Sequence, residues 1–297
     1  MNESDSALQA ISRSEQGNNE HQNKINPLTS VRFIAAILVV LHHTAPMPEK
    51  SSFFSGLLFN LIDLGFTSVG FFFVLSGFIL AIVYPVLPNR RALAEFWSAR
   101  IARIYPIYIM TLLADLPRLL LFRIAKYGII AGALSTSITL GLQATMLSAV
   151  FPVGTALNFP SWSVATEAFF YLFFPVLLLC LGRPDAGLRT LKGNVLLIGV
   201  FALIAVLIPL ITAFILNPLD QLPDWVSRFP VLRLPEFIIG ILLAKIYRLL
   251  GNPNFRLSCF LLIAGMLGWL AILISDDIIR SMPLKGALLI PFSLLIY

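Results

Sequence analysis

The chain has 297 residues, of which 58% are hydrophobic and only 12% charged, and its mean hydropathy is +0.88. Soluble domains carry about twice that share of charge, and a single core stops growing at roughly 250–300 residues, so a soluble enzyme, a disordered protein and a nucleic-acid binder are excluded. The remaining class is all-α, a polytopic transmembrane helix bundle, because the apolar runs are long and continuous rather than alternating as in a barrel.

Residues 1–26 are polar and aperiodic, with Arg13 and Lys24 set against Glu3, Asp5, Glu15 and Glu20. They read as a disordered cytoplasmic tail rather than a signal peptide, which needs a basic start followed at once by an apolar stretch. Residues 27–297 read as one transmembrane domain with 19 basic and 11 acidic residues, a bias expected of cytoplasmic loops. Its apolar runs fall at 28–45, 65–87, 104–123, 128–150, 165–182, 194–216, 231–250, 257–275 and 283–297. The last stops at Tyr297 without a flanking loop or basic anchor, so the expected chain lacks its final spans. Cys180 and Cys259 sit in or beside apolar runs and offer neither metal spacing nor a disulfide framework, and no metal is expected.

The first run opens on Arg32 and closes on His42 and His43. His43 is eleven positions after Arg32, close to three turns, so both lie on one helical face about 16 Å apart, with His42 about 100° round. Ionisable groups inside a span are costly and usually face a bundle interior or a watery cavity. The plain alternative is an interfacial pair, with Arg32 snorkelling to the surface.

In the second run, Gly70-Phe71-Phe72-Phe73-Val74-Leu75-Ser76-Gly77-Phe78, Ser76 and Gly77 permit close helix approach while the phenylalanines fill space. Ser76 has no base near it in sequence, so a serine nucleophile is not indicated. The loop that follows holds Arg90, Arg91, Arg100 and Arg103 and is expected to be cytoplasmic, with the 49–63 loop outside. Arg100 and Arg103, three apart, share a helical face and suit phosphates; topology alone would also explain them. Arg183, Arg189 and Lys192 look cytoplasmic too, yet three full crossings would put them outside. The segment 128–150, with Ser135, Thr136, Ser137, Thr139, Gln143 and Thr145, is the one expected to be re-entrant or buried rather than a plain span.

Trp162-Ser163-Val164-Ala165-Thr166-Glu167 opens the next run. Ser163 and Glu167 have a spacing like that of a capping arrangement. A lone carboxylate at that depth is expected to take an Arg or His partner. Further on, Arg233 and Glu236 can pair at three-residue spacing, as can Asp115 and Arg118. No internal repeat of the transporter kind is evident.

Taken in order, Arg32 with ten residues before His43, the Phe-Phe-Val-Leu-Ser-Gly run, Arg100-x-x-Arg103 before Tyr105-Pro106, and Trp162-Ser163-x-x-x-Glu167-x-x-Phe170-Tyr171 resemble the acyltransferase 3 family of integral membrane O-acyltransferases, which act mainly on carbohydrates. Arg233–Gly240 is similar to its later Glu-Phe-x-x-Gly segment, and the resemblance covers residues 27–245. It implies a multi-pass protein of the cytoplasmic (inner) membrane that transfers an acyl group, often acetyl from acetyl-CoA, to a hydroxyl of a glycan or lipid-linked glycan. It implies catalytic roles for His43, Arg32 and Glu167 and donor binding by Arg100 and Arg103, with Ser76, Gly77, Trp162, Ser163, Tyr171, Arg233 and Glu236 in support. The bilayer and the glycan are the partners implied; nucleic acid is not. Two readings compete. One is a transporter with His43, Asp115 and Glu167 as a proton relay. The other is an acyltransferase remnant without activity, kept open because the family's terminal spans are missing.

Overall fold

The computed structural model describes residues 32–46, 48, 49, 51–151, 157–182, 190–216 and 228–250, with single positions at 263, 265 and 267. The tail at 1–26, the loop residues Arg183 and Arg189 and the run at 283–297 lie outside the described residues, as does nearly all of 257–275. Among the described residues the fold is all-helical. The helices are α1 (Arg32–Thr44), α2 (Phe53–Val83), α3 (Arg90–Tyr127), α4 (Ile129–Ala144), α5 (Trp162–Gly182), α6 (Leu191–Leu216) and α7 (Pro230–Leu250). Two apolar stretches, Phe54–Val83 and Phe159–Leu181, are long enough to cross a bilayer by length and composition. The chain divides into two compact units between Ser68 and Val69.

Two boundaries differ from those read in the sequence. α2 begins at Phe53, so most of the stretch assigned to an outer loop is helix, primed by a Ser52–Ser55 exchange of hydrogen bonds at its first turn. The arginine-rich stretch taken as a loop is the first turns of α3, capped by Asn89, whose side chain accepts the Ala92 N–H at 2.9 Å. The Asn cap satisfies one of the orphan donors of the first turn, which apolarity counting does not register.

In the first unit, α1 lies against α2 along Ala35, Leu38 and His42, a spacing of three and four residues that puts all three on one face. Gly65 permits the crossing: a Cβ there would collide with the Leu38 carbonyl and the His42 side chain.

In the second unit, α2, α5 and α7 run in the same direction. Along α2, Gly70 lies beside Glu236, Gly77 beside Phe237 and Gly240, and Ala81 and Ile82 beside Arg248. Along α5, Ser76 meets Glu167 and the Leu181 carbonyl accepts from Lys245. A Cβ at Gly77 or Gly240 would strike the facing backbone, so these glycines set the α2–α7 approach. The core between the helices is aromatic, running Phe73, Phe170, Phe237, Phe174, Phe96 and Tyr84 in successive ring contacts of 4.9–6.1 Å.

α3 runs the opposite way. Its partners on the α5 side fall from Phe174 to Asn158 as α3 advances from Phe96 to Asp115. It then continues past the start of α5 and folds back at Gly128, whose φ of +83° suits glycine. α4 returns along it at the close approach of Gly132 to Arg123 and Ile124. At 16 residues α4 is about 24 Å long, short of a roughly 30 Å hydrocarbon core. Thr139 and the Ser135 backbone meet α3: Arg123 Nη1 donates to the Ser135 carbonyl at 2.6 Å and to Thr139 Oγ1 at 2.7 Å. Gln143 then clamps the Leu157 backbone from both sides at 2.8 Å. So α4 does not retrace α3 to its start, and α5 alone returns to the end of the unit where α3 begins. The segment flagged at 128–150 is a hairpin arm, and α5 ends at the end of the unit where α3 begins.

Candidate functional site

In the second unit a polar cluster that joins α2, α3 and α5 surrounds Glu167. Glu167 lies one turn into α5 and Tyr171 one turn further, on the same face. Tyr171 Oη donates to Glu167 Oε1 at 2.5 Å, and Ser76 Oγ, from α2, donates to the same oxygen at 2.6 Å. These are the short distances expected for hydroxyls on a carboxylate. The expected Arg or His partner for Glu167 is not what this unit supplies: both donors are hydroxyls. The expected capping role of Ser163 is also corrected, because its Oγ donates back to the Pro160 carbonyl at 3.1 Å. The turn is already wound as a 3₁₀ segment over Phe159–Ser161, which leaves Ser163 inside the helical path.

α3 backs this cluster. Trp97 Nε1 donates to the Tyr171 carbonyl at 3.1 Å, and buried Phe96 stands edge-on to the Tyr171 ring. Trp162 packs its ring against Phe73. One turn beyond Phe96, Arg100 gives Nη2 to Tyr84 Oη at 3.1 Å, with its guanidinium 5.3 Å from the Tyr84 ring centroid. Its Nε is buried with no hydrogen-bond partner among the described residues. Arg103 is exposed and does not join the cluster.

The pair expected at Arg233 and Glu236 forms, at 2.8 Å, and is buried on both sides. Glu236 Oε2 has no hydrogen-bond partner among the described residues, and the carboxylate lies against Gly70. Asp115 and Arg118 also pair, at 2.5 and 2.7 Å, while Asp115 accepts the Asn158 N–H at the approach to α5. Among the described residues no group of His, Cys, Asp and Glu side chains has the arrangement of a metal site.

In the first unit, Arg32, His42 and His43 all lie on α1. His42 Nδ1 lies 3.1 Å from the Ile62 carbonyl, His43 is exposed, and the two rings meet edge-on at 5.3 Å. Reading the sequence missed the Ser76–Glu167 contact and the parts taken by Tyr84, Trp97, Lys245 and Arg248. Only Trp97 had a signal there, three residues before Arg100 and so on its helical face.

Residues 26–296 match the model of the acyltransferase 3 family, described as an acyltransferase domain, and the chain belongs to that family. It is 27% identical over 241 residues to the acyltransferase MdmB of Streptomyces mycarofaciens, covering 76% of this chain and 58% of MdmB. It is 25% identical over 247 residues to YrhL of Bacillus subtilis, provisionally named as a peptidoglycan O-acetyltransferase, covering 80% of this chain and 35% of YrhL. It is 28% identical over 194 residues to an uncharacterized protein of Haemophilus influenzae, covering 61% and 75% of the two chains. The chain thus spans well under two thirds of MdmB and of YrhL. No solved structure matches it.

Proposed function

We propose that this protein is a multi-pass O-acyltransferase of the cytoplasmic membrane that moves an acyl group, acetyl in the first instance, from acyl-CoA to a hydroxyl of a glycan or lipid-linked glycan. The observation that carries the reading is the Glu167 carboxylate, fixed by two hydroxyls inside an aromatic bundle whose core also packs Arg100. The membrane setting is supported by large apolar side chains turned outward, such as Ile130 at 84% exposed, while polar groups of the same hairpin turn inward. YrhL's name favours a glycan acceptor.

Arg100 and Arg103 are assigned to the donor's phosphates. The Nε of Arg100 has no hydrogen-bond partner among the described residues, and exposed Arg103 sits one turn on, two cationic groups of the kind that bind phosphates. His43 is assigned as general base, the role to which imidazole is suited near neutral pH. It takes the proton of the acceptor hydroxyl as that oxygen attacks the thioester carbonyl. The C–S bond then breaks, and the proton passes to the departing thiolate. Arg32 stabilises the developing negative charge. Glu167 orients a cation.

The test uses membranes of the parent and of His43→Ala at equal expression, supplied with labelled acetyl-CoA. Loss of a positioned general base costs about 10²–10⁴ in rate, so transfer should fall by at least about a hundredfold. Transfer equal to the parent's would overturn the assignment.

A further inference from the structure

Glu167 is held asymmetrically. Both of its hydrogen bonds, from Ser76 Oγ at 2.6 Å and Tyr171 Oη at 2.5 Å, arrive at Oε1. Neither donor reaches Oε2, and the side chain is only partly buried. A carboxylate oxygen has two lone pairs, so Oε1 is filled and Oε2 remains to be addressed. Neither donor is loosely placed. Ser76 precedes Gly77, where α2 meets α7 so closely that a Cβ has no room. Tyr171 is 7% exposed, its ring is edge-on to Phe96, and its carbonyl is tied to Trp97.

We propose that Ser76 and Tyr171 are positioning residues that lock Oε1 of Glu167 and thereby present Oε2 to the reacting groups. The proposal rests on the acyl-transfer reading. It separates the two oxygens of one carboxylate into a structural and a working atom. It also gives Ser76 a role distinct from that of a nucleophile: its hydroxyl proton is committed to Oε1 and its action passes through Glu167.

A hydroxyl acting through Glu167 loses its effect once Glu167 is altered. Ser76→Ala, Ser76→Thr and Tyr171→Phe are compared on the parent and on a Glu167→Gln background, in membranes at matched expression with labelled acetyl-CoA. On the parent background, Ser76→Ala and Tyr171→Phe should each lower kcat about tenfold, the scale of one hydrogen bond to a charged group, with the KM for acetyl-CoA within about twofold. Ser76→Thr, which keeps the hydroxyl, should keep most of the rate. On the Glu167→Gln background either substitution should change the rate by less than about twofold. Equal fold-losses on both backgrounds, or a complete loss for Ser76→Ala beyond that of Glu167→Gln, would overturn the proposal. If the parent itself transfers no acetyl, the acyl-transfer reading fails on its own account. The positioning claim is then decided by unfolding midpoints of the same variants in detergent, where non-additive shifts for Ser76 with Glu167 uphold it and additive shifts refute it.

Discussion

The buried pair of Arg233 and Glu236 shows how a single residue can be costly to disturb. Both partners are largely removed from solvent, and Glu236 keeps one oxygen without a hydrogen-bond partner among the described residues. Removing the cation leaves a carboxylate without its counter-charge in an apolar setting. Arg233→Met is expected to lower stability by about 3–5 kcal/mol, measured by denaturant unfolding in detergent. Arg233→Met combined with Glu236→Leu should recover much of that loss, because replacing both charges by apolar groups also removes the desolvation cost. This pair was legible in the sequence because its three-residue spacing is local. The partners of Glu167 were not: Ser76 lies 91 positions away on another helix, and spacing along one helix carries no information about which face of another it meets. The cation expected from the cost of burying a charge gave way to two hydroxyls, which answer the same cost by hydrogen bonding.

At the scale of elements, the all-α class followed from the continuity of the apolar runs, whereas the starts of α2 and α3 did not. Hydropathy weighs what a side chain would do in lipid, and the Ser52–Ser55 turn and the Asn89 cap act through backbone donors instead. The α3–α4 hairpin is the clearest case. Its Ser and Thr content marked it as unlike a plain span, and in the structure one of those side chains, Thr139, joins the Ser135 backbone carbonyl in accepting from the Arg123 guanidinium between two helices. Arg123→Met should release α4 from α3 at a cost of about 1–2 kcal/mol, taking the typical worth of inter-helix hydrogen bonds in membranes. Amide hydrogen exchange should quicken about tenfold across residues 129–144 and stay unchanged across 162–182. Equal acceleration in both stretches would mean that the hairpin is not an independent opening unit.

For the whole molecule, the hairpin bears on a count of crossings that composition leaves ambiguous. α3 carries the chain to the far end of the second unit and α5 brings it back, to where Lys245 and Arg248 hold the last carbonyls of α5 and α2. The positive charges of those two side chains offset the negative ends of two parallel helices. On the membrane reading, positions before α3 and after α5 share one face of the bilayer. Single-cysteine variants Pro88→Cys and Lys192→Cys, made with Cys180 and Cys259 replaced by serine, should react alike with a membrane-impermeant maleimide in intact cells and in inverted vesicles. Opposite labelling would mean that α4 completes a crossing. An arm that leaves and rejoins the bundle on one side is neutral to everything synthesised after it. On the membrane reading it can be lengthened or shortened without turning the later helices upside down, so a change in the length of this arm leaves the orientation of the remaining bundle fixed.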